Sequence, residues 1–223
     1  MDGFKTILIF QNHRELLLGA GITLQITCVS YVIALAIGTV VGIARSRPRR
    51  LNFLLTPYVE IFRGTPLLIQ LFFIYYALPS VGITISSYTA AYLGIGLCNG
   101  AYISEIIRGS LYAVDKGQEE AAISLGLNRF QSLKHVILPQ AIQVAIPALV
   151  NSFSAQLKET SLVSVLAINE LTRAGQMVYA RTFRPFEIYL AVGAMYFIMT
   201  YSVSILSRYL EKFFHASGKV SQA

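Results

Sequence analysis

The sequence predicts an all-α polytopic membrane protein, with five transmembrane helices in a single domain over residues 1–223. Three observations carry that prediction. Apolar residues make up 55% of the chain and charged residues only 13%, with a mean hydropathy of +0.59. A soluble globular domain holds roughly 25% charged residues, so the deficit points to a bilayer rather than to a large aqueous-facing core. The apolar residues fall into runs of about 20, the length needed to cross about 30 Å of hydrocarbon as a helix. The basic residues gather at the ends of those runs, which gives the chain a sidedness.

The first span runs over about 16–44 and stops at the basic loop Arg45-Ser46-Arg47-Pro48-Arg49-Arg50. The second covers about 54–78 and is interrupted at Arg63-Gly64-Thr65-Pro66, because proline lacks an N–H and clashes with the preceding turn. The third covers about 88–111 and carries Asn99 beside Gly100. The fourth covers about 139–156, with Pro139 suited to the first position of a helix. The fifth covers about 188–210 and leads into a basic tail. Residues 162–168 are apolar but too short to cross, and are expected to be re-entrant or packed on the outer face.

Eleven basic residues flank the spans on one side and six on the other. This predicts an external N-terminus, a cytoplasmic C-terminus and a cytoplasmic segment between spans three and four. The formal charge of +7 follows from this topology, so no nucleic-acid partner is expected. Cys28 and Cys98 lie inside apolar runs and read as packing residues, and the three histidines lack ligand spacing. No metal site is expected, nor a cleaved signal peptide, since the N-terminus has no basic region ahead of a cleavable apolar core.

The loop over 115–138 is too polar for lipid and too patterned for a tether. Asp115 is placed to cap a helix starting near Gly117, with Glu119 and Glu120 in its first turn, where the helix dipole favours anions. Ala121, Ala122 and Leu125 give it a small apolar face, and Gly126 ends it. A second short helix from about Asn128 offers Phe130 and Leu133. Two readings compete on physics alone: an amphipathic linker resting at the headgroups, and a handle for a partner protein.

The spacing Glu120-Ala121-Ala122, three residues, Gly126, nine residues, Val136-Ile137-Leu138-Pro139 resembles the EAA loop of ATP-binding-cassette import permeases. Val136 stands where isoleucine is commoner. Glu60-Ile61-Phe62-Arg63-Gly64-Thr65-Pro66-Leu67-Leu68 resembles the second-span signature of the family's polar amino acid uptake branch. Ala101-Tyr102 with Glu105 and Arg108, and Lys158-Glu159-Thr160-Ser161-Leu162, resemble further patterns of that branch. The resemblance implies a five-span core whose loop, Phe130 included, forms a coupling helix docked on a separate ATPase subunit. It implies a homodimer or a heterodimer with a related permease, and an extracytoplasmic amino-acid-binding protein. The setting it implies is a bacterial inner membrane. ATP-Mg would sit on the ATPase, with no cofactor on this chain.

Polar groups inside the spans need partners. Arg63 lies near mid-bilayer, where an arginine costs roughly 2.5 to 3.5 kcal/mol on insertion scales. Glu60, one turn earlier, is the nearest candidate for an intramembrane ion pair; direct contact of Arg63 with substrate is the other reading. Asn99, Asn151, Ser154 and Glu159, with Thr65 at the helix break, form the expected substrate pathway, against helix-to-helix hydrogen bonding as the plainer alternative. Amides and hydroxyls supply both the acceptors and the donors that an amino acid zwitterion requires. In the resembling family small residues are commoner at the position of Asn99, which marks it for selectivity. The chain has no GxxxxGK[ST] phosphate loop, so energy comes from another subunit or from a gradient. An ion-coupled amino acid carrier or channel is therefore the alternative. A membrane enzyme finds no nucleophile or metal constellation to support it.

Overall fold

A computed structural model describes residues 6–46 and 49–219, and the side chains of 11–46 and 52–210; Lys5 and the Arg47-Pro48 step of the basic loop lie outside the described residues. Every regular element described is helical. The order is α1 (Thr6–Arg45), α2 (Arg49–Gly64), α3 (Leu67–Phe72), α4 (Ser87–Tyr112), α5 (Lys116–Ser124), α6 (Arg129–Ser132), α7 (Leu138–Glu159), α8 (Leu171–Thr182) and α9 (Pro185–Lys219). Four helical stretches are long and apolar enough to cross a membrane: Gln11–Arg45, Ser87–Tyr112, Arg129–Leu166 and Pro185–Leu210. A fifth span exists if the bent pair Asn52–Gly64 and Leu67–Val81 is counted as one.

That second span turns through 105° at its break. Pro66 is the N-cap of α3, in extended geometry at φ −62° and ψ 136°, and the ring disfavours helical geometry at Thr65 before it. The carbonyls freed by the break must be satisfied inside the protein. Gln70, buried one turn into α3, does this: its Nε2 donates to the Phe62 carbonyl at 2.9 Å, the Thr65 carbonyl at 3.0 Å and Thr65 Oγ1 at 2.9 Å.

The centre of the bundle is the seam between α1 and α4, which glycine allows to be tight. A Cβ on Gly38 would lie 2.5 Å from Ile103 Cγ2, and one on Gly42 would lie 2.7 Å from the Ser104 carbonyl oxygen. Close approach of backbones through small residues is how helices associate in lipid, where burial of apolar surface gives no net drive. One apolar core joins Ile26, Leu71, Ile95, Val163 and Leu166; a second joins Leu16, Leu171, Val178 and Ile188.

Two regions gain detail. Residues 162–168, expected to be re-entrant or packed on the outer face, pack into the bundle core. Thr160–Leu166 forms a 3₁₀ helix, whose threefold repeat eclipses Val163 and Leu166, and both are buried in the first core. The helical run that carries the fourth span extends back beyond Pro139, to Arg129. Between α6 and α7 the residues Leu133–Ile137 form a π-helical turn, with the Leu138 N–H donating to the Leu133 carbonyl. The widened turn carries the helix up to a proline that would otherwise clash with the carbonyl four residues earlier.

Candidate functional site

The loop segment builds its own ends. Asp115 Oδ1 accepts the Gly117 N–H at 2.7 Å and caps α5. The helix begins at Lys116, so Glu119 lies in the first turn and Glu120 just past it. The dipole effect falls off within that turn and therefore rests mainly on Glu119, a shift from the sequence expectation. Gly126, at φ +86°, closes the helix: its N–H donates to the Ile123 carbonyl at 2.9 Å, and the Leu127 N–H to the Ala122 carbonyl at 3.1 Å. That double bond pattern satisfies carbonyls left open at the helix end, and the left-handed geometry favours glycine.

Immediately afterwards Asn128 Oδ1 accepts the Phe130 and Gln131 N–H groups at 3.0 and 2.9 Å, while Gln131 Oε1 accepts the Asn128 N–H at 2.9 Å. This reciprocal capping box starts α6. Between them the two caps aim apolar side chains outward. Ala122 is buried, but Leu125 is 84% exposed and Phe130 67% exposed. An open cavity of about 580 Å³ lies between this segment and the end of α4, lined among others by Tyr112, Asp115, Glu119, Arg129 and Phe130.

A charged cluster, marked in the sequence only by topology and family pattern, braces the same end. Glu105 binds Arg45 and also Arg108, the latter at 2.6 Å. Arg45 Nε donates to Asn52 Oδ1 at 3.3 Å, and the Arg108 guanidinium stands 5.6 Å from the Tyr112 ring. The Glu105 carboxylate thus ties α1 to α4, and Arg45 extends the tie to α2, beside the exposed segment.

Deeper in the bundle, Asn99 Nδ2 donates to Glu159 Oε2 at 2.9 Å, joining α4 to the end of α7. Asn99 is buried and Glu159 half-buried, while Lys158 points away and is exposed. Thr65 is held by Gln70 at the break in the second span. Asn151 faces elsewhere: its Oδ1 accepts from Ser207 on α9 at 3.3 Å. Asn151 and Ser154 share a face at helical spacing, but Glu159 falls about 80° from Asn151 at 100° per residue. The expected pathway set therefore divides, with Asn99 and Glu159 brought together and Asn151 turned to α9.

The intrachain ion pair expected of Glu60 and Arg63 is absent among the described residues. Arg63 instead lies over the Tyr102 ring, 5.3 Å from its centroid, and both charged side chains are exposed on this chain. An aromatic face attracts a guanidinium, and here the Tyr102 ring on α4 takes it.

A buried junction was missed altogether. Glu170 caps α8 by accepting the Thr172 and Arg173 N–H groups at 2.8 Å each, and it accepts from Tyr196 at 2.9 Å and Thr23 at 3.4 Å. It joins α1, α8 and α9 with no exposed surface of its own. Gln156 similarly binds the Thr27 carbonyl and Ser30 Oγ, each at 3.0 Å. The available signal was the row Thr23, Thr27, Ser30, a polar stripe at helical spacing within the first span.

Residues 34–215 match the family described as binding-protein-dependent transport system inner membrane component. The glutamine transport system permease protein of Escherichia coli K12 is 40% identical over 197 residues, covering 87% of this chain and 90% of that one. The L-cystine transport system permease protein of Bacillus subtilis 168 is 37% identical over 192 residues, covering 85% and 82%. Among solved structures, a crystal structure of an amino acid ABC transporter with histidines aligns at a TM-score of 0.90 and 34% identity, over 95% of this chain and 99% of that one. The inward-facing MetNI methionine ABC transporter shares the fold at a TM-score of 0.71 and 18% identity, over 95% and 99%.

Proposed function

The chain belongs to the family of binding-protein-dependent transport system inner membrane components, and from that membership we propose how its two sites share the work of an ATP-driven amino acid importer. The chain is a multi-pass inner-membrane permease subunit, and ATP hydrolysis belongs to a separate subunit of such systems. The relatives support this reading over an ion-coupled carrier.

In our reading residues 115–138 lie in the cytoplasm and α5 is the coupling helix. The observation that carries it is the doubly capped segment with Leu125 and Phe130 turned outward. Caps hold a short helix in shape without a core of its own, and exposed apolar anchors suit a groove on an ATPase. Glu119, Glu120, Ala121 and Gly126 complete the docking element. ATP binding closes the ATPase pair, moves two such helices together and opens the pathway outward. The Arg45–Glu105–Arg108 cluster passes that movement to α1, α2 and α4, because it is the rigid tie at their common end.

The substrate is a polar amino acid, delivered by an extracytoplasmic binding protein. Asn99 and Glu159 form the heart of its site: the amide offers a donor and an acceptor, and the carboxylate favours an ammonium or a cationic side chain. Thr65, Ser154 and Asn151 border the path, and two permease subunits enclose it about a two-fold axis. The N-terminus is external and the C-terminus cytoplasmic.

The test is uptake of labelled amino acid by proteoliposomes holding this subunit with its ATPase and binding protein. Uptake that requires internal ATP and withstands ionophore is expected. Uptake that survives without ATP and collapses with ionophore would overturn the reading.

A further inference from the structure

The exposed charges of α2 point to a partner of definite chemistry. Leu55, Tyr58, Val59 and Phe62 turn inward, packing with Val41 and Ala101. The opposite stripe is Phe53, Leu54, Pro57, Glu60 and Ile61, with Phe53 79% and Ile61 60% exposed. A lipid-facing helix would explain the apolar members but not Glu60, nor Arg63 beside it. Arg63 stands 14 residues beyond Arg49, which places it about 21 Å up the helix and well inside about 30 Å of hydrocarbon. Charges at such depth turn away from lipid and find a partner. Arg63 rests on Tyr102 at the edge of this stripe, and Glu60 makes no ion pair among the described residues.

We propose that Glu60 and Arg63 form reciprocal ion pairs with a second copy of this chain, Glu60 of each copy meeting Arg63 of the other across a two-fold seam. A two-fold interface is self-complementary, so residue i meets j and j meets i, and one helix carrying both signs satisfies both contacts. The two positions differ in height by about 4.5 Å, which the long arginine side chain spans. The apolar residues of the stripe close the seam on either side. The proposal rests on the two-fold pairing of permease subunits given above.

Two differently tagged copies, co-expressed with the ATPase, provide the experiment; its readouts are co-purification from detergent and ATP-dependent uptake. E60R alone places four cations at the seam, and R63E alone places four anions there. Each is expected to lower recovery of mixed-tag complexes more than about tenfold, because unpaired buried charges are strongly destabilising. A complex of one E60R copy with one R63E copy restores both pairs, and is expected to recover pairing and uptake to near wild type. The double variant E60R/R63E in every copy is expected to do the same.

Singles that pair like wild type would overturn the proposal. A working double variant with no rescue in the mixed complex would also overturn it, by making the pair intrachain. A failed double variant would assign the charges to another contact. Wild-type copies that do not co-purify would overturn the two-fold pairing itself, and the proposal with it.

Discussion

Truncating Leu125 to alanine isolates the docking role of the capped segment, because this side chain does little for its own fold. At 84% exposure, a partner groove has nearly all of it to cover. The three carbons removed, at about 0.8 kcal/mol each when fully buried and reduced for the part already covered, amount to about 2 kcal/mol. That corresponds to roughly 30-fold weaker binding of the ATPase subunit. The assay is titration of the purified ATPase onto the permease in nanodiscs, with thermal unfolding of the permease measured alongside. The melting temperature should hold, since an exposed substitution shifts stability by less than about 0.5 kcal/mol. Unchanged ATPase affinity would remove Leu125 from the ATPase contact. So would a loss of affinity matched by a loss of permease stability, which would make Leu125 a packing residue.

Other sites give sharp expectations. Glu120→Lys places a cation near the positive end of α5 and in the partner's groove, so ATPase recovery or the coupling of hydrolysis to uptake should fall; wild-type values for both would count against the handle. Asn99→Ala removes the donor to Glu159 and should reorder the competition profile across amino acids while complex yield stays level; an unaltered profile would take Asn99 out of the site. Gly38→Val drives carbon into Ile103, where a Cβ alone would sit at 2.5 Å. Loss of about 1–3 kcal/mol or more should appear as lowered thermal stability in detergent, and unchanged stability would mean the α1–α4 seam is looser than described.

The parts of the molecule legible in sequence are those with local causes. Apolar runs long enough to cross a membrane identify themselves, and the caps of α5 and α6 depend only on residues within three positions of each end. What stayed hidden depends on residues far apart in the chain. Glu170 reads as a loop carboxylate until Thr23 and Tyr196 close around it. Arg63 reads as a partner for Glu60 until Tyr102 arrives from α4. Pro66 announces a break, but neither its 105° bend nor the capping of the freed carbonyls by Gln70 follows from composition. Pro139 does stand in the first turn of α7, and what the sequence does not reveal is the π turn that joins α7 to α6 ahead of it. For the proposed substrate pathway, polar groups are visible in sequence but their faces are not, and of the five residues expected to line it Asn99 and Glu159 meet.

In the proposed function, an ATPase outside this chain drives import through contact with residues 115–138. The most direct test is the ATPase rate of the reconstituted complex, measured with binding protein and each amino acid in turn. Saturating the binding protein with the transported amino acid should raise hydrolysis in step with uptake, and Leu125→Ala should abolish the rise at limiting ATPase. A rate indifferent to amino acid, binding protein and the 115–138 segment alike would mean that no such coupling runs through this segment.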